Sequence, residues 1–116
     1  MAVLIEANPD SNVTPFLKWA GGKRWLTSVV APLPAVGANA TYFEPFLGSA
    51  AMYFHWQPTK AVLSDTNADL VGTYAAIRRD HARVTAHLRR HAARHDDDYY
   101  YAVRDRTFRT EFTRAA

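Results

Sequence analysis

Between residues 40 and 64 the chain alternates short apolar segments with a turn and a short helical stretch, and this order limits the fold more than any other feature. Residues 40–46 (Ala40-Thr41-Tyr42-Phe43-Glu44-Pro45-Phe46) are short, aromatic and bounded by turn formers, which predicts a buried strand. Pro45 must then sit at its end, because proline cannot donate to a sheet ladder. Residues 49–57 read as a short helix stopped before Pro58, and residues 60–64 follow as a second strand. Ala61, Val62 and Leu63 form a continuous apolar run of the kind found in parallel sheets. Strand, helix and strand in this order predict a parallel α/β unit with a right-handed crossover.

The flanking chain is organised around that unit. Residues 1–14 are polar and rich in turn formers (Asn8-Pro9-Asp10-Ser11-Asn12), which reads as an extended or frayed, flexible leader. Over residues 23–33 the apolar positions Trp25, Leu26, Val29, Val30 and Leu33 fall at helical spacing, and Pro32 and Pro34 close the helix. Asn67 can cap a helix running to about Arg79, with Leu70, Tyr74 and Ile77 on one face. Two more helices are expected, over residues 81–95 with Val84, Leu88 and Ala92 inward, and over 99–112. Asp96-Asp97-Asp98 marks the break between them. The expected organisation is a leader (1–14), a partial α/β domain (15–80) and a helical segment (81–116).

Composition narrows the class. A chain of 116 residues has room for about one domain. It contains no cysteine, so a disulfide framework, a thiolate zinc site and a cysteine nucleophile are excluded from it. Its apolar runs are a few residues long, too short for a transmembrane helix, and Met1-Ala2-Val3-Leu4-Ile5-Glu6 is no secretory signal. A cytoplasmic protein without membrane attachment is the expectation. Charge is uneven: four basic side chains face five acidic ones in residues 1–72, whereas ten arginines face six acids in residues 73–116. Two readings of that basic half stand, a polyanionic partner or the codon bias of a GC-rich genome.

Two constellations carry chemistry. The first is Glu44-Pro45-Phe46-Leu47-Gly48-Ser49, at the joint between the first strand and its helix, with Asp65 ending the second strand. Gly48 lets the backbone approach a ligand closely, and the amides behind it can face a carboxylate or phosphate. An acid some 20 residues beyond such a turn is where nucleotide-binding α/β folds hold a ribose diol; Asp65 equally suits a cap for the next helix. The second is Phe16-Leu17-Lys18-Trp19-Ala20-Gly21-Gly22-Lys23. A phosphate-binding P-loop would need glycine where Leu17 stands and serine or threonine where Arg24 stands. A Gly-Gly turn between an aromatic residue and a lysine remains. His87, His91 and His95 recur every four residues, which reads as a solvated stripe beside Arg90 and Arg94, with no metal site expected. Trp25, Tyr53, Phe54 and Trp56 read as core aromatics.

With Asp65-Thr66-Asn67-Ala68-Asp69-Leu70, these two strings stand in an order that resembles the opening of the Dam-type DNA adenine methyltransferases, over about residues 15–80. The stretch 99–112 resembles more loosely the family's entry into its helical target-recognition region. The resemblance implies the N-terminal part of a Rossmann-like, S-adenosylmethionine-dependent fold: parallel strands with flanking helices, followed by helices. It implies methyl transfer from S-adenosylmethionine to the exocyclic amine of adenine in double-stranded DNA. It places Trp19, Lys23 and Glu44 in the cofactor pocket, wraps Phe46, Gly48 and Ser49 around the methionine end, and assigns Asp65 to the ribose hydroxyls. These chemistries suit an aromatic face for a sulfonium and a carboxylate for a diol.

Two departures accompany the resemblance. Ala50 occupies the place of a second family glycine, and the catalytic Asp-Pro-Pro-Tyr, which engages the flipped adenine, is absent. The expectation is an N-terminal fragment or truncated relative, inactive alone and needing a complementing catalytic segment. The alternative is a non-catalytic, basic nucleic-acid-binding module.

Overall fold

The computed structural model describes residues 2–6, 13–30 and 39–116, which cluster into two compact units, residues 1–71 and 72–116. The first unit is built on a three-stranded sheet in the order β1-β3-β2, comprising β1 (Ala2–Glu6), β2 (Tyr42–Glu44) and β3 (Lys60–Ser64). β2 and β3 pair in parallel, with Tyr42 opposite Ala61 and Glu44 opposite Leu63. Helix α1 (Ala51–Trp56) lies between them in sequence. The strand–helix–strand unit is therefore present, and Pro45 follows the last residue of β2, outside the ladder.

β1 departs from the expected leader. Ala2–Glu6 pairs antiparallel with the far side of β3, with Ala2 opposite Ser64 and Glu6 opposite Lys60. An unpaired strand edge is a row of unsatisfied backbone groups, and the run Val3-Leu4-Ile5 has the composition to occupy it. The sheet is thus mixed, where parallel strands alone were expected, and β3 is its centre. Ala61 and Leu63 are buried while Val62 is only half-buried, so β3 alternates and is not the doubly buried run its sequence suggests. Leu47, Ala50, Ala51, Met52 and Tyr53 complete this core with Leu70 and Val71.

Residues 23–28 form a 3₁₀ helix (Lys23–Ser28) rather than the opening of an α-helix, and Val29 caps it. Trp25 is 69% exposed and Val29 70%, so the expected apolar face is not a core face and Trp25 is not a core aromatic. The remainder of that expected helix, with Pro32 and Pro34, lies outside the described residues. Tyr53 is buried, and Trp56 meets Tyr42 edge-on with ring centroids 5.7 Å apart.

Helix α2 (Ala68–Ala92), most of which belongs to the second unit, is interrupted at Asp80, which is extended (φ −159°, ψ 84°). The Asp80 carboxylate accepts the Arg83 amide at 3.0 Å, capping a new helix start. The two helices expected over 67–79 and 81–95 are therefore distinct and meet at this kink. Val84 packs with Ala76 and Phe112, whereas Leu88 is 45% exposed and Ala92 is exposed, against the inward placement expected for both.

The helix expected over 99–112 is two. In α3 (Asp97–Arg104), Asp96 is more than a break, because its carboxylate caps the Tyr99 amide at 2.7 Å. α4 (Glu111–Ala115) opens on a capping box between Thr110 and Thr113. That reciprocal pair satisfies backbone donors where a continuous helix would have needed none, which is the local reason the stretch divides.

Candidate functional site

The first unit brings both glycine-bearing strings to one place. Gly22 precedes the 3₁₀ helix, and a β-carbon there would stand 3.3 Å from the Ser49 hydroxyl and 3.0 Å from the Trp19 carbonyl oxygen. Gly48 has φ +52°, and a β-carbon on it would meet the Trp19 ring at 3.4 Å. The two turns thus approach each other closely, each glycine's main chain against a side chain of the other turn, and glycine at 48 also meets the left-handed conformation without steric cost. Together they wall a pocket of about 280 Å³. Its lining includes Trp19, Gly22, Lys23, Phe46, Gly48 and Asp65.

Of the residues singled out from sequence, Trp19, Lys23, Phe46, Gly48 and Asp65 line this pocket, while Glu44 and Ser49 are buried and do not. Asp65 follows the last residue of β3. One carboxylate oxygen accepts the Gly48 amide at 3.0 Å, the other the Asn67 amide at 3.0 Å. These amide donors, Asn67 foremost and Gly48 next, hold the Asp65 carboxyl below its ordinary range. Asn67 caps α2, its side chain accepting the Leu70 amide at 3.0 Å. The capping role that Asp65 could have taken belongs to Asn67, and Asp65 ties that cap to the glycine turn.

Glu44 ends β2 in the opposite environment. It is 4% exposed. Burial pushes its carboxyl above the ordinary range, and the Lys23 ammonium, the Tyr42 hydroxyl and the Tyr53 amide pull back against burial. Tyr42 donates to one Glu44 oxygen at 3.2 Å, and the other faces Lys23 Nζ at 3.4 Å as an ion pair without a close hydrogen bond. The Tyr42 hydroxyl is itself pushed up, first by burial and then by the Glu44 charge. Lys23 also donates to the Phe46 carbonyl. Tyr42 was not among the expected site residues. The signal for it was its spacing: two residues before Glu44 on a strand, it shares that residue's face.

Elsewhere, His91 bonds the Tyr99 hydroxyl at 2.9 Å. Among the described residues no group of three or more histidines, cysteines or acids is placed to hold a metal, and no helix is long and apolar enough to cross a membrane.

The family model for the D12 class N6 adenine-specific DNA methyltransferases matches residues 19–116. The chain belongs to this family. A type II methyltransferase of Lactococcus lactis subsp. cremoris, M1.LlaDCHI, is 35% identical over 93 residues, which is 80% of this chain and 32% of the relative. A type II methyltransferase of Methanocaldococcus jannaschii, M.MjaIII, is 35% identical over 108 residues, 80% of this chain and 37% of the relative. The DNA adenine methylase of Haemophilus influenzae is 33% identical over 70 residues, 60% of this chain and 24% of the relative. The chain thus spans about a third of the length of the first two relatives. S-adenosylmethionine is the methyl donor that membership of this methyltransferase family implies in general.

Proposed function

We infer that this chain forms the S-adenosylmethionine pocket of a site-specific DNA adenine methyltransferase, the sheet being extended in the whole enzyme to a Rossmann-like one. The observation that carries this is the convergence of both glycine turns and Asp65 on one pocket. The residues present suit the cofactor. Asp65 is a carboxylate held in its charged form at the pocket wall, which fits the ribose diol. Trp19, 40% exposed beside Gly48, offers an aromatic face to a cationic sulfonium. Gly48 leaves room for close main-chain approach, so the turn of Phe46 to Gly48 is the wall for the methionine end, with Ser49 buried behind it.

When bound, S-adenosylmethionine supplies an electrophilic methyl group for the exocyclic amine of adenine. Within this chain, Asp65 orients the ribose, Trp19 covers the sulfonium, and Lys23 with Glu44 shapes the turn. Because Asp-Pro-Pro-Tyr is absent from the sequence, contact with the target adenine falls to a complementing segment, and double-stranded DNA is the partner of the assembled enzyme. The basic-module alternative draws on the arginines of the second unit. Among these, Arg79 and Arg83 are engaged over the Phe112 ring and Arg104 over Tyr101.

Calorimetric titration of S-adenosylmethionine into the purified chain tests the reading. Saturable binding that weakens at least about tenfold in Asp65→Ala, some 1.4 kcal/mol, is expected. Binding unchanged by that substitution removes the ribose assignment, and a folded chain with no binding removes the cofactor reading. Methylation of DNA is expected only when a segment bearing Asp-Pro-Pro-Tyr is added.

A further inference from the structure

The turn 46–48 has few means of its own to hold its shape. Phe46 is 72% exposed, so its side chain contributes little burial, and Gly48 has no side chain. The Ala50 amide closes the turn on the Leu47 carbonyl at 2.9 Å, and three hydrogen bonds from outside reach its main-chain groups. The Leu47 amide donates to the Ser64 carbonyl at 2.9 Å, the Gly48 amide donates to Asp65, and the Phe46 carbonyl accepts from the Lys23 ammonium. The first two come from β3 and the residue that follows it. The third comes from the other glycine-bearing string, so Lys23 alone of the three ties the two turns together.

Its geometry suits that task. Lys23 opens the 3₁₀ helix directly after Gly22, whose close approach to Ser49 brings the lysine stem alongside the end of β2. The ammonium has three donors, and the Phe46 carbonyl and the Glu44 carboxylate both lie on its inner side. Its side chain is 32% exposed against 5% for Glu44. Glu44 is held from its other side by Tyr42 and is absent from the pocket wall, so it serves as an anchor for the ammonium rather than as a ligand contact. We propose that Lys23 is a positioning residue: anchored on Glu44, its ammonium fixes the Phe46 carbonyl and thereby the pocket wall at Gly48. This deepens the cofactor reading and rests on it for the ligand.

The test separates bracing from contact. Amide hydrogen exchange at Leu47 and Gly48 is measured in the ligand-free chain, alongside S-adenosylmethionine titration, for Lys23→Met, Lys23→Arg and Glu44→Gln. Lys23→Met is expected to speed exchange at Gly48 by about tenfold or more and to weaken S-adenosylmethionine by a similar factor. Lys23→Arg, with donors enough for both acceptors, is expected to restore most of both. Exchange at Gly48 unchanged in Lys23→Met while binding is lost overturns the proposal and makes Lys23 a ligand contact. Faster exchange in a chain whose wild type binds no S-adenosylmethionine supports the brace and removes the cofactor reading instead. Should Lys23→Met fail to fold, Glu44→Gln decides: faster exchange at Gly48 supports the brace, and an unchanged rate overturns it.

Discussion

The ends of β2 and β3 carry the same kind of charge and treat it in opposite ways. Glu44 is buried beside Lys23, Tyr42 and the Tyr53 amide, and burial raises its pKa. Asp65 stands at the pocket wall on two backbone amides, which lower its pKa. Side chains from several segments surround the first carboxylate, whereas the second is fixed chiefly by main-chain donors and lines the pocket. An acid's place at a strand end therefore does not decide its task; the donors that reach it do.

The largest expected effect falls at Glu44. Glu44→Ala removes the anchor of a half-buried ammonium and the acceptor of a buried tyrosine hydroxyl, and should cost about 2–3 kcal/mol in urea unfolding, below the ~3–5 kcal/mol of a fully buried pair. Asp65→Ala should cost less stability, about 1 kcal/mol as is typical for a lost hydrogen bond, while removing most S-adenosylmethionine affinity. If the two substitutions proved equal in both stability and binding, the contrast between anchor and ligand group would collapse.

A smaller effect tests the joint between the strands. Ala50 is completely buried and left-handed, with φ +56°, a conformation that costs a non-glycine residue roughly 1–2 kcal/mol. Ala50→Gly should stabilise the chain by about 0.5–1 kcal/mol after the glycine's greater freedom when unfolded is counted. A loss of stability would mean that burial of the alanine methyl outweighs the backbone strain.

Acid titration gives the subtlest contrast. Glu44, raised on folding, gives up its proton more readily unfolded, so its burial costs nothing well below its ordinary value of 4.5 and lowers stability as pH rises above it. Asp65, lowered on folding, contributes stability above its ordinary value of 3.8 that is lost as pH falls through the lower folded value. Urea midpoints followed against pH should therefore lose their Glu44 slope in Glu44→Gln and their Asp65 slope in Asp65→Asn. Identical profiles in the two variants would show that these carboxylates share one environment.

Much of the local structure was legible. The β3 bounds, the close of β2 before Pro45, the Asn67 cap and the division of the long helix near Asp80 follow from propensity, proline chemistry and side-chain capping, all of which act within a few residues. The site was legible in part. Trp19, Gly48 and Asp65, singled out through their place in motifs, line one pocket, but that Glu44 lies behind its wall and is held by Tyr42 depends on what packs over β2. Trp25 shows the limit from the other side: helical spacing marked it as core, yet no described partner covers its face.

By itself the sequence determined the strand–helix–strand order over residues 42–64 and the residue types at the two glycine turns, which are written in local spacing, and its likeness to known adenine methyltransferases carried the family. The tertiary structure decided the rest. Pairing across long separations set β1 on the edge of β3, brought Gly22 against Ser49, and gave two acids at adjacent strand ends opposite pKa shifts, since burial and donor geometry exist only once distant segments meet.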